Sequence, residues 1–342
     1  MSIYLLDGYL SKSDFENGEQ FSTFAGKVLR GCLSAAGIEY NECIKDVVFP
    51  FHPQGNSIKG IAEKKGRGVN PNILKGRSAV SKGWYLRKEY EVYLQQCTQR
   101  ILAAKPTLIV SLGSEALWFL TDSTGLKSVR GTTMYCDVGN SKFKLLPTFS
   151  PDEIVTRWKE KPIFLSDLSK ASREQHFSEV RRPRREVWIY PTIEDILGFE
   201  RQYIEPSDDL SIDIETSGTQ ITCIGFAPSI DRAIVIPFTD RENKTGSYWP
   251  DFATELTVWE IVRRICGKKK PRVVGQNFLY DINHLWANYG IQVRHANHDT
   301  MLLHHAMQPE MQKGLGFMGS VYTDEASWKF MRVKHSTIKR ED

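Results

Sequence analysis

The sequence of 342 residues lacks the features of a membrane or secreted protein. No apolar run approaches the ~18 residues that a bilayer-spanning helix needs. The segment Met1–Asp7 has neither the charged region nor the long apolar stretch of a signal peptide. We therefore expect a cytoplasmic protein with no membrane partner.

Cysteine pairs and a large excess of charge are also absent. The six cysteines are widely separated and include no Cys-x-x-Cys pair, which argues against a zinc knuckle or a disulfide framework and indicates buried thiols. The net charge of +4 is too small to indicate a nucleic-acid partner by itself. A chain of this length is typical of two domains.

Acidic residues follow or end two apolar segments in the C-terminal half. Asp213 and Glu215 belong to the run Leu210–Thr216, and Asp281 follows the run Arg272–Gln276. Residues i and i+2 of a strand point to one face, so the first two carboxylates should stand side by side. Hard divalent cations bind such oxygens, and two ions ~3.5–4 Å apart can hold the attacking and leaving oxygens of a phosphodiester. The pattern predicts metal-dependent phosphoryl chemistry.

The order Asp-Ile-Glu-Thr followed by Gln-Asn-x-x-x-Asp resembles the 3′-5′ proofreading exonuclease domains of the DEDD superfamily, particularly those of family A DNA polymerases. The resemblance covers roughly residues 208–325. Ile221–Pro228 and Arg232–Phe238 match the two antiparallel strands after the first motif, and Asp299–Met307 matches the helix after the second. The resemblance implies a ribonuclease-H-like mixed sheet.

The resemblance also implies a role for each matching residue. Asp213 would bind both of two Mg²⁺ or Mn²⁺ ions, Glu215 would bind one ion and orient the attacking water, and Asp281 would hold the second ion. Asn277 would help to position these ligands without contacting the ions, and Thr216 would contact the terminal nucleotide. The implied substrate is the 3′ end of a DNA single strand or a primer terminus.

Other polar residues of this half have simpler interpretations. His298, His304 and His305 are soft-site ligands that this chemistry does not need, so we interpret them as core or helix-surface residues. Asp299 directly precedes an apolar helical run, which favours a helix N-cap over a metal ligand.

The N-terminal half alternates amphipathic helices with short apolar strands, which predicts an α/β sandwich with a largely parallel sheet. Its blocks include Phe24–Leu29, Asp46–Phe49, Leu108–Gly113 and Leu146–Pro151. In order and spacing these blocks resemble the uracil-DNA glycosylase superfamily, most closely families 4 and 5. The predicted fold class is therefore α/β, with a glycosylase-like sandwich followed by the ribonuclease-H-like exonuclease domain.

Key glycosylase positions are altered. Phe21 stands where the family keeps its base-stacking aromatic residue, but Asp46 replaces the uracil-reading Asn and Ser150 replaces the His of the His-Pro-Ser motif. An ionised Asp46 accepts hydrogen bonds and cannot donate one. The cysteines that hold an iron–sulfur cluster in family 4 are missing, so no such cluster is expected. We predict a non-catalytic domain.

The acid motif of the glycosylases is also incomplete. Leu6–Ser11 stands in its place without the Gly-Pro-Gly core. Asp7 or Asp14 could substitute as the acid, which leaves uracil excision open as an alternative.

We place the first domain at residues 1–170, a basic linker at 171–186 and the exonuclease domain at 187–342. The linker contains Arg181–Arg185, and a second basic loop spans Lys59–Arg67, with Lys75 and Arg77 nearby. Both clusters suit either phosphate contacts or solvated loops.

A further group, of aromatic and basic residues, suits either single-strand contacts or an ordinary helix start, of which we prefer the second. It comprises Trp84, Tyr85, Arg87 and Lys88.

The third acidic motif of the exonuclease family is not found. After Asp299 the sequence contains neither Tyr-x-x-x-Asp nor His-x-x-x-Asp, and Tyr322 and His335 lack an acid four residues later. We expect a truncated exonuclease domain whose missing motif and polymerase domain lie downstream or in a partner, as in a bacteriophage-type polymerase working in the host cytoplasm.

Three functions are therefore compared. The preferred one is a two-metal 3′-5′ exonuclease module of a replication or repair polymerase, possessing weak or no activity in this chain alone. The alternatives are a DNA-binding module without nuclease activity and a uracil-DNA glycosylase.

Overall fold

A computed structural model describes residues 2–66 and 70–325. Contacts divide the chain into two compact units. The first unit contains the residues up to Arg182 together with those from Gly316, and the second contains Pro183–Leu315. Arg67 of the basic loop, His335 and the rest of 326–342 lie outside the described residues.

The first unit is built on a five-stranded sheet, in which three parallel pairings follow the predicted apolar runs and one antiparallel pairing closes an edge. The order is β2-β1-β5-β7-β6, and β3 and β4 form a separate antiparallel ribbon. The strands are β1 (Ile3–Tyr9), β2 (Ile44–Phe49), β3 (Ala62–Lys64), β4 (Trp84–Leu86), β5 (Leu108–Leu112), β6 (Met134–Val138) and β7 (Ser141–Thr148). The largely parallel sheet agrees with the sequence pattern.

Seven helices of the first unit lie between these strands or after them. They are α1 (Lys12–Asn17), α2 (Phe24–Ala35), α3 (Glu91–Ala104), α4 (Gly113–Thr121), α5 (Leu126–Val129), α6 (Pro151–Thr156) and α7 (Lys161–Glu174). The central strand β5 is buried along its whole length, as expected for a strand covered on both faces.

The second unit contains a six-stranded mixed sheet of order β13-β12-β9-β10-β11-β8. Its antiparallel strands β9, β10 and β11 are followed by β12, which runs parallel to β9, and this arrangement is consistent with a ribonuclease-H-like exonuclease fold. The strands are β8 (Glu186–Trp188), β9 (Asp209–Ser217), β10 (Gln220–Ala227), β11 (Arg232–Pro237), β12 (Arg272–Gly275) and β13 (Ala296–Asp299). The helices are α8 (Ile193–Phe199), α9 (Phe252–Cys266), α10 (Leu279–Tyr289) and α11 (Thr300–Met307).

The helix α12 (Leu315–Tyr322) leads the chain back into the first unit. The buried Arg130 donates a 2.6 Å hydrogen bond to Asp167 and also contacts the Ser320 hydroxyl. Lys170 donates to the carbonyls of Gly131, Ser320 and Thr323. Described residues after Leu315, up to residue 325, therefore pack with the first unit, whereas the sequence-based boundary assigned them to the second domain.

The predicted linker is shorter in the structure, because its first residues belong to α7, which ends at Glu174. The basic cluster also has partners within the first unit. Arg181 pairs with Glu174 at 3.2 Å, and Arg182 donates to the Thr133 and Asp324 carbonyls.

The preferred helix-start interpretation of Trp84 and Tyr85 is wrong. Both residues belong to β4, which pairs with β3, while Lys88 opens a short 3₁₀ turn ahead of α3.

Five of the six cysteines are buried and Cys223 is half-buried, with no disulfide among them. This confirms the expectation of buried thiols. Within residues 2–66 and 70–325, no helix combines the length and apolar character needed to cross a bilayer.

Candidate active site

Strand β9 carries the first two predicted acids on one face. Along this strand the side chains alternate between buried and exposed, with Ile212 and Ile214 in the core and Asp213 and Glu215 on the exposed face. On the neighbouring strand, Gly225 stands opposite Asp213, so no side chain of that partner crowds the carboxylate. The predicted pairing of the two acids on one strand face is confirmed.

The third acid reaches the same strand from a helix. Asp281 lies in the first turn of α10 and is only 4 % exposed. Its Oδ1 accepts a 3.0 Å hydrogen bond from the backbone N–H of Ile214. Since Ile214 lies between Asp213 and Glu215, this bond brings the acid of the second motif to the strand that carries the first.

The electrostatics of Asp281 differ from those of an ordinary surface acid. Burial is the largest cause that raises its pKa, to about 6, and the nearby negative charges of Asp213 and Asp299 raise it further. The Ile214 N–H opposes these effects because it stabilises the ionised form. The Asp281 carboxyl therefore changes charge close to neutral pH.

Asp299 organises the loop that leads to Asp281. It caps α11 by accepting hydrogen bonds from Met301 and Leu302, which confirms the predicted N-cap. The same carboxylate accepts from the backbone N–H groups of Asn277 at 3.1 Å and Phe278 at 2.8 Å.

This loop has a demanding backbone. Asn277 has φ of 55°, a left-handed conformation that Asn tolerates better than most residues. A Cβ at Gly275 would come within 2.1 Å of the Phe278 ring, so this position requires glycine. Asn277 itself is exposed, and its backbone N–H donates to Asp299.

The sequence analysis did not identify two exposed residues at the start of α10. The Tyr280 hydroxyl lies 2.7 Å from the Thr216 hydroxyl, and its ring stacks on His284 at 5.6 Å between centroids. Leu279 is 76 % exposed. Their position inside the Asn-x-x-x-Asp motif was the available signal, since an exposed aromatic and an exposed leucine beside paired acids suit contacts to a nucleotide.

The donor set fits a hard divalent cation in its chemistry, because Asp213, Glu215 and Asp281 supply only oxygen. In the described part of the chain, however, no three His, Cys, Asp or Glu side chains are arranged to hold a metal ion. Asp213 and Glu215 lie on β9 and Asp281 is bonded to it, but the three acids do not surround a common centre.

The histidines of this region have structural positions. His304 is buried and its Nε2 lies 3.0 Å from the Gln312 carbonyl, whereas His305 is exposed on α11. His298 is half-buried on β13. Their interpretation as core and surface residues holds for His304 and His305.

In the first unit, Asp46 is held by a basic and a phenolic partner. Arg100 Nε donates to both Asp46 oxygens at 3.0 and 2.9 Å, and the Tyr4 hydroxyl makes a short bond to Oδ2. Burial and the hydrogen bond to Asp46 raise the pKa of Tyr4, so the phenol stays protonated as the donor. Phe21 is buried, with a left-handed φ of 61°.

A cleft of about 680 Å³ opens elsewhere in the same unit, and Asp7, Glu115 and Ser150 are among its lining residues. Ser150 caps α6 through a reciprocal pair of 3.2 Å bonds with Glu153. Burial raises the pKa of Asp7 well above its usual range and also raises that of Glu115. Phe21 and Asp46 lie outside the lining of this cleft as the described residues define it.

Asp14 has local partners. Its Oδ1 accepts from the Ser22 backbone at 2.8 Å and from the Ser22 hydroxyl at 2.7 Å. Between the two acids considered as substitutes, Asp7 is therefore the one that lines the cleft.

Comparison with known proteins finds similarity only to solved structures. No protein-family model matches the chain, and no curated protein matches it either. Among solved structures, it is similar to the exonuclease domain of EXD2 soaked in Mn and GMP, with 17 % identity, a TM-score of 0.27 and coverage of 36 % of this chain and 58 % of that one. It is also similar to Brucella melitensis NrnC, with 14 % identity, a TM-score of 0.28 and coverage of 43 % and 63 %.

The chain therefore spans about three fifths of the length of these structures. At such TM-scores the likeness does not decide the activity of this chain. What the structure itself defines is a mixed α/β protein with three acids meeting at one strand of its second unit.

Proposed function

We propose that the second unit is a metal-dependent 3′-5′ exonuclease of the proofreading type. The observation that carries the proposal is the bond from the Ile214 N–H to Asp281, which links the acids of two separate motifs. A buried carboxyl with a raised pKa beside further acids is a common feature of a functional site. The sequence order of the motifs supports the same activity.

In this proposal, Asp213, Glu215 and Asp281 hold two Mg²⁺ or Mn²⁺ ions. When bound, such ions polarise the phosphodiester and stabilise its attacking and leaving oxygens. Asp281 must lose its proton to serve as a ligand, which its pKa of about 6 permits at neutral pH. Thr216 and Tyr280 then contact the terminal nucleotide, and Asn277 helps to keep the loop in place.

We further propose that the exonuclease unit works within a DNA replication or repair polymerase, as in bacteriophages, with the polymerase domain downstream or in a partner. The first unit would be glycosylase-like and non-catalytic. The ion pair of Asp46 with Arg100 supports this, because a carboxylate held in that pair cannot present the donor that reading uracil requires.

The test is a nuclease assay with single-stranded DNA carrying a 5′ label. A 3′-5′ exonuclease shortens the labelled strand progressively in Mn²⁺, whereas EDTA and the Asp213→Ala variant abolish shortening. Asp209→Ala is the matched control, because Asp209 lies on the same strand but pairs with Arg272 at 2.9 Å. Shortening that is equal in the Asp213→Ala variant would disprove the assignment.

A second candidate function is DNA binding without cleavage. It is favoured by the open arrangement of the three acids, since no group of such residues in the described part of the chain is placed to hold a metal ion. Binding of a labelled strand in Mn²⁺ with no shortening at any enzyme concentration would support this alternative.

A further inference from the structure

A marked local excess of positive charge lies in a segment that the proposed nuclease site does not use. The described residues 57–66 and 70–90 contain eight Lys and Arg and two Glu, a net charge of +6 against +4 for the whole sequence. A concentration of one sign attracts a polyanion at long range. The segment includes the ribbon of β3 and β4 in the first unit.

Most of the lysines in this segment have no acidic partner. Several other surface cations pair with acids, as Arg157 does with Glu153 and Lys268 with Glu205. Six lysines of the basic segment are exposed, and none forms an ion pair with another described residue. They are Lys59, Lys64, Lys65, Lys75, Lys82 and Lys88.

The ribbon places aromatic rings beside these lysines. Trp84 and Lys64 are cross-strand partners, and the Lys59 ammonium lies 5.8 Å from the centre of the Trp84 ring. The Lys65 ammonium lies 5.7 Å from the centre of the Tyr85 ring. Consecutive residues of a strand face opposite ways, so each face of the ribbon presents a half-buried ring with a lysine next to it.

The base of the ribbon is fixed to the first unit. Leu86 is buried, and its carbonyl accepts a 2.8 Å bond from the Leu74 N–H. The Arg87 N–H donates to the Ile61 carbonyl at 3.1 Å. The same segment is bonded to the rest of the first unit, because the Arg77 guanidinium donates to the Phe119 carbonyl at 2.8 Å and the Ser78 N–H donates to Asp122 at 2.9 Å. A ribbon ordered in this way reduces the ordering that a ligand would have to impose.

We propose that this basic ribbon, residues Lys59, Lys64, Lys65, Trp84 and Tyr85, binds single-stranded nucleic acid. The lysines contact the phosphates, and the two rings stack on unpaired bases. In duplex DNA the bases already stack on one another, so the rings could not stack on them. The inference deepens the proposed nuclease function and rests on it, because that function supplies the nucleic-acid strand that the ribbon would bind. The binding itself requires neither metal nor hydrolysis.

The experiment measures fluorescence anisotropy of a labelled oligothymidine with the full chain in EDTA, over a range of salt concentrations. The ribbon variant replaces Lys59, Lys64 and Lys65 with Gln. The control variant replaces three lysines of the same unit that are also exposed and have no ion pair with a described residue, Lys27, Lys105 and Lys127. Thermal melts verify that both variants fold.

The ribbon variant should bind more weakly, and the slope of log K against log salt should decrease in size by about 2, since each phosphate contact on a single strand contributes ~0.7. Trp84→Ala should weaken binding by about 5- to 150-fold, and Trp84→Phe should retain most of it. The control variant should match the wild type.

Equal slopes for the ribbon and control variants would overturn the proposal. So would tighter binding of a duplex with no effect of Trp84→Ala, or binding only to vesicles containing 30 % phosphatidylserine. If the wild type binds the strand through the ribbon in EDTA but does not shorten it in Mn²⁺, the nuclease proposal alone is rejected.

Discussion

Replacing Asp281 with Asn should stabilise the second unit at neutral pH. Asn has nearly the same volume, and its carbonyl oxygen can still accept the hydrogen bond of the Ile214 N–H. The substitution removes a buried charge that sits near Asp213 and Asp299. It therefore separates the structural cost of the acid from its proposed role as a metal ligand.

The magnitude follows from the pKa of Asp281, which burial and neighbouring acids raise from 3.8 to about 6. A raised carboxyl pKa means that the folded protein holds this proton more tightly than the unfolded chain. The contribution of Asp281 to the free energy of unfolding is thus fully present below pH 3.8 and is lost as pH rises through about 6. At ~1.36 kcal/mol per pKa unit, the wild type lacks about 3 kcal/mol at pH 7.5 that the neutral Asn retains.

Calorimetric melts in EDTA test this expectation. At about 3 °C per kcal/mol, Asp281→Asn should raise the melting temperature of the second unit by about 6–9 °C at pH 7.5. The difference should almost vanish at pH 4. Asp208→Asn is the control, because Asp208 is an exposed acid with a surface ion pair, and its effect should be small at both pH values.

Mn²⁺ should reverse the order of the melting temperatures of the wild type and the Asp281→Asn variant. Mn²⁺ binding to the folded wild type raises its melting temperature by mass action, and Asp281→Asn should lose that increase. A variant that is less stable than the wild type at pH 7.5, or an effect that is the same at pH 4, would refute the electrostatic reasoning.

Three further predictions concern both units. Mn²⁺ binding measured by titration calorimetry should disappear in Asp213→Ala, and retained binding would contradict the metal assignment. A uracil-containing oligonucleotide incubated with the chain in EDTA and then treated with alkali should stay intact, whereas breakage at uracil would direct attention to Asp7. Asp167→Leu should destabilise the first unit by about 3–5 kcal/mol in urea unfolding, because it leaves the buried Arg130 without its carboxylate, and a wild-type midpoint would exclude this.

The local part of the candidate site could be predicted from the sequence. The alternation along β9 fixes which side chains face solvent, so the exposed pair Asp213 and Glu215 follows from a period of two. The helix start that carries Asp281 and the cap at Asp299 follow from equally local signals. None of these inferences requires knowledge of distant contacts.

Contacts between distant segments could not be predicted in this way. The bonds from Asn277 and Phe278 to Asp299 span about twenty residues, and only the folded chain brings these groups together. The same is true of α12, whose Ser320 meets Arg130 of the first unit. A pattern that assigns α12 to the exonuclease domain has no means of detecting a buried cation elsewhere that needs a partner.

Two positions that the sequence resemblance compared with the uracil-DNA glycosylases have structural roles. Asp46 was predicted to replace a reading Asn, and its charge is matched by Arg100 of α3 and shared with the Tyr4 hydroxyl. Ser150 was predicted to replace a His, and it caps α6 through Glu153. The Asp46 carboxylate pairs with a cation, and the Ser150 hydroxyl caps a helix. Both groups therefore have structural roles. The cleft that Ser150 lines also contains Asp7, whose pKa burial raises, whereas Asp46 lies outside the lining as the described residues define it.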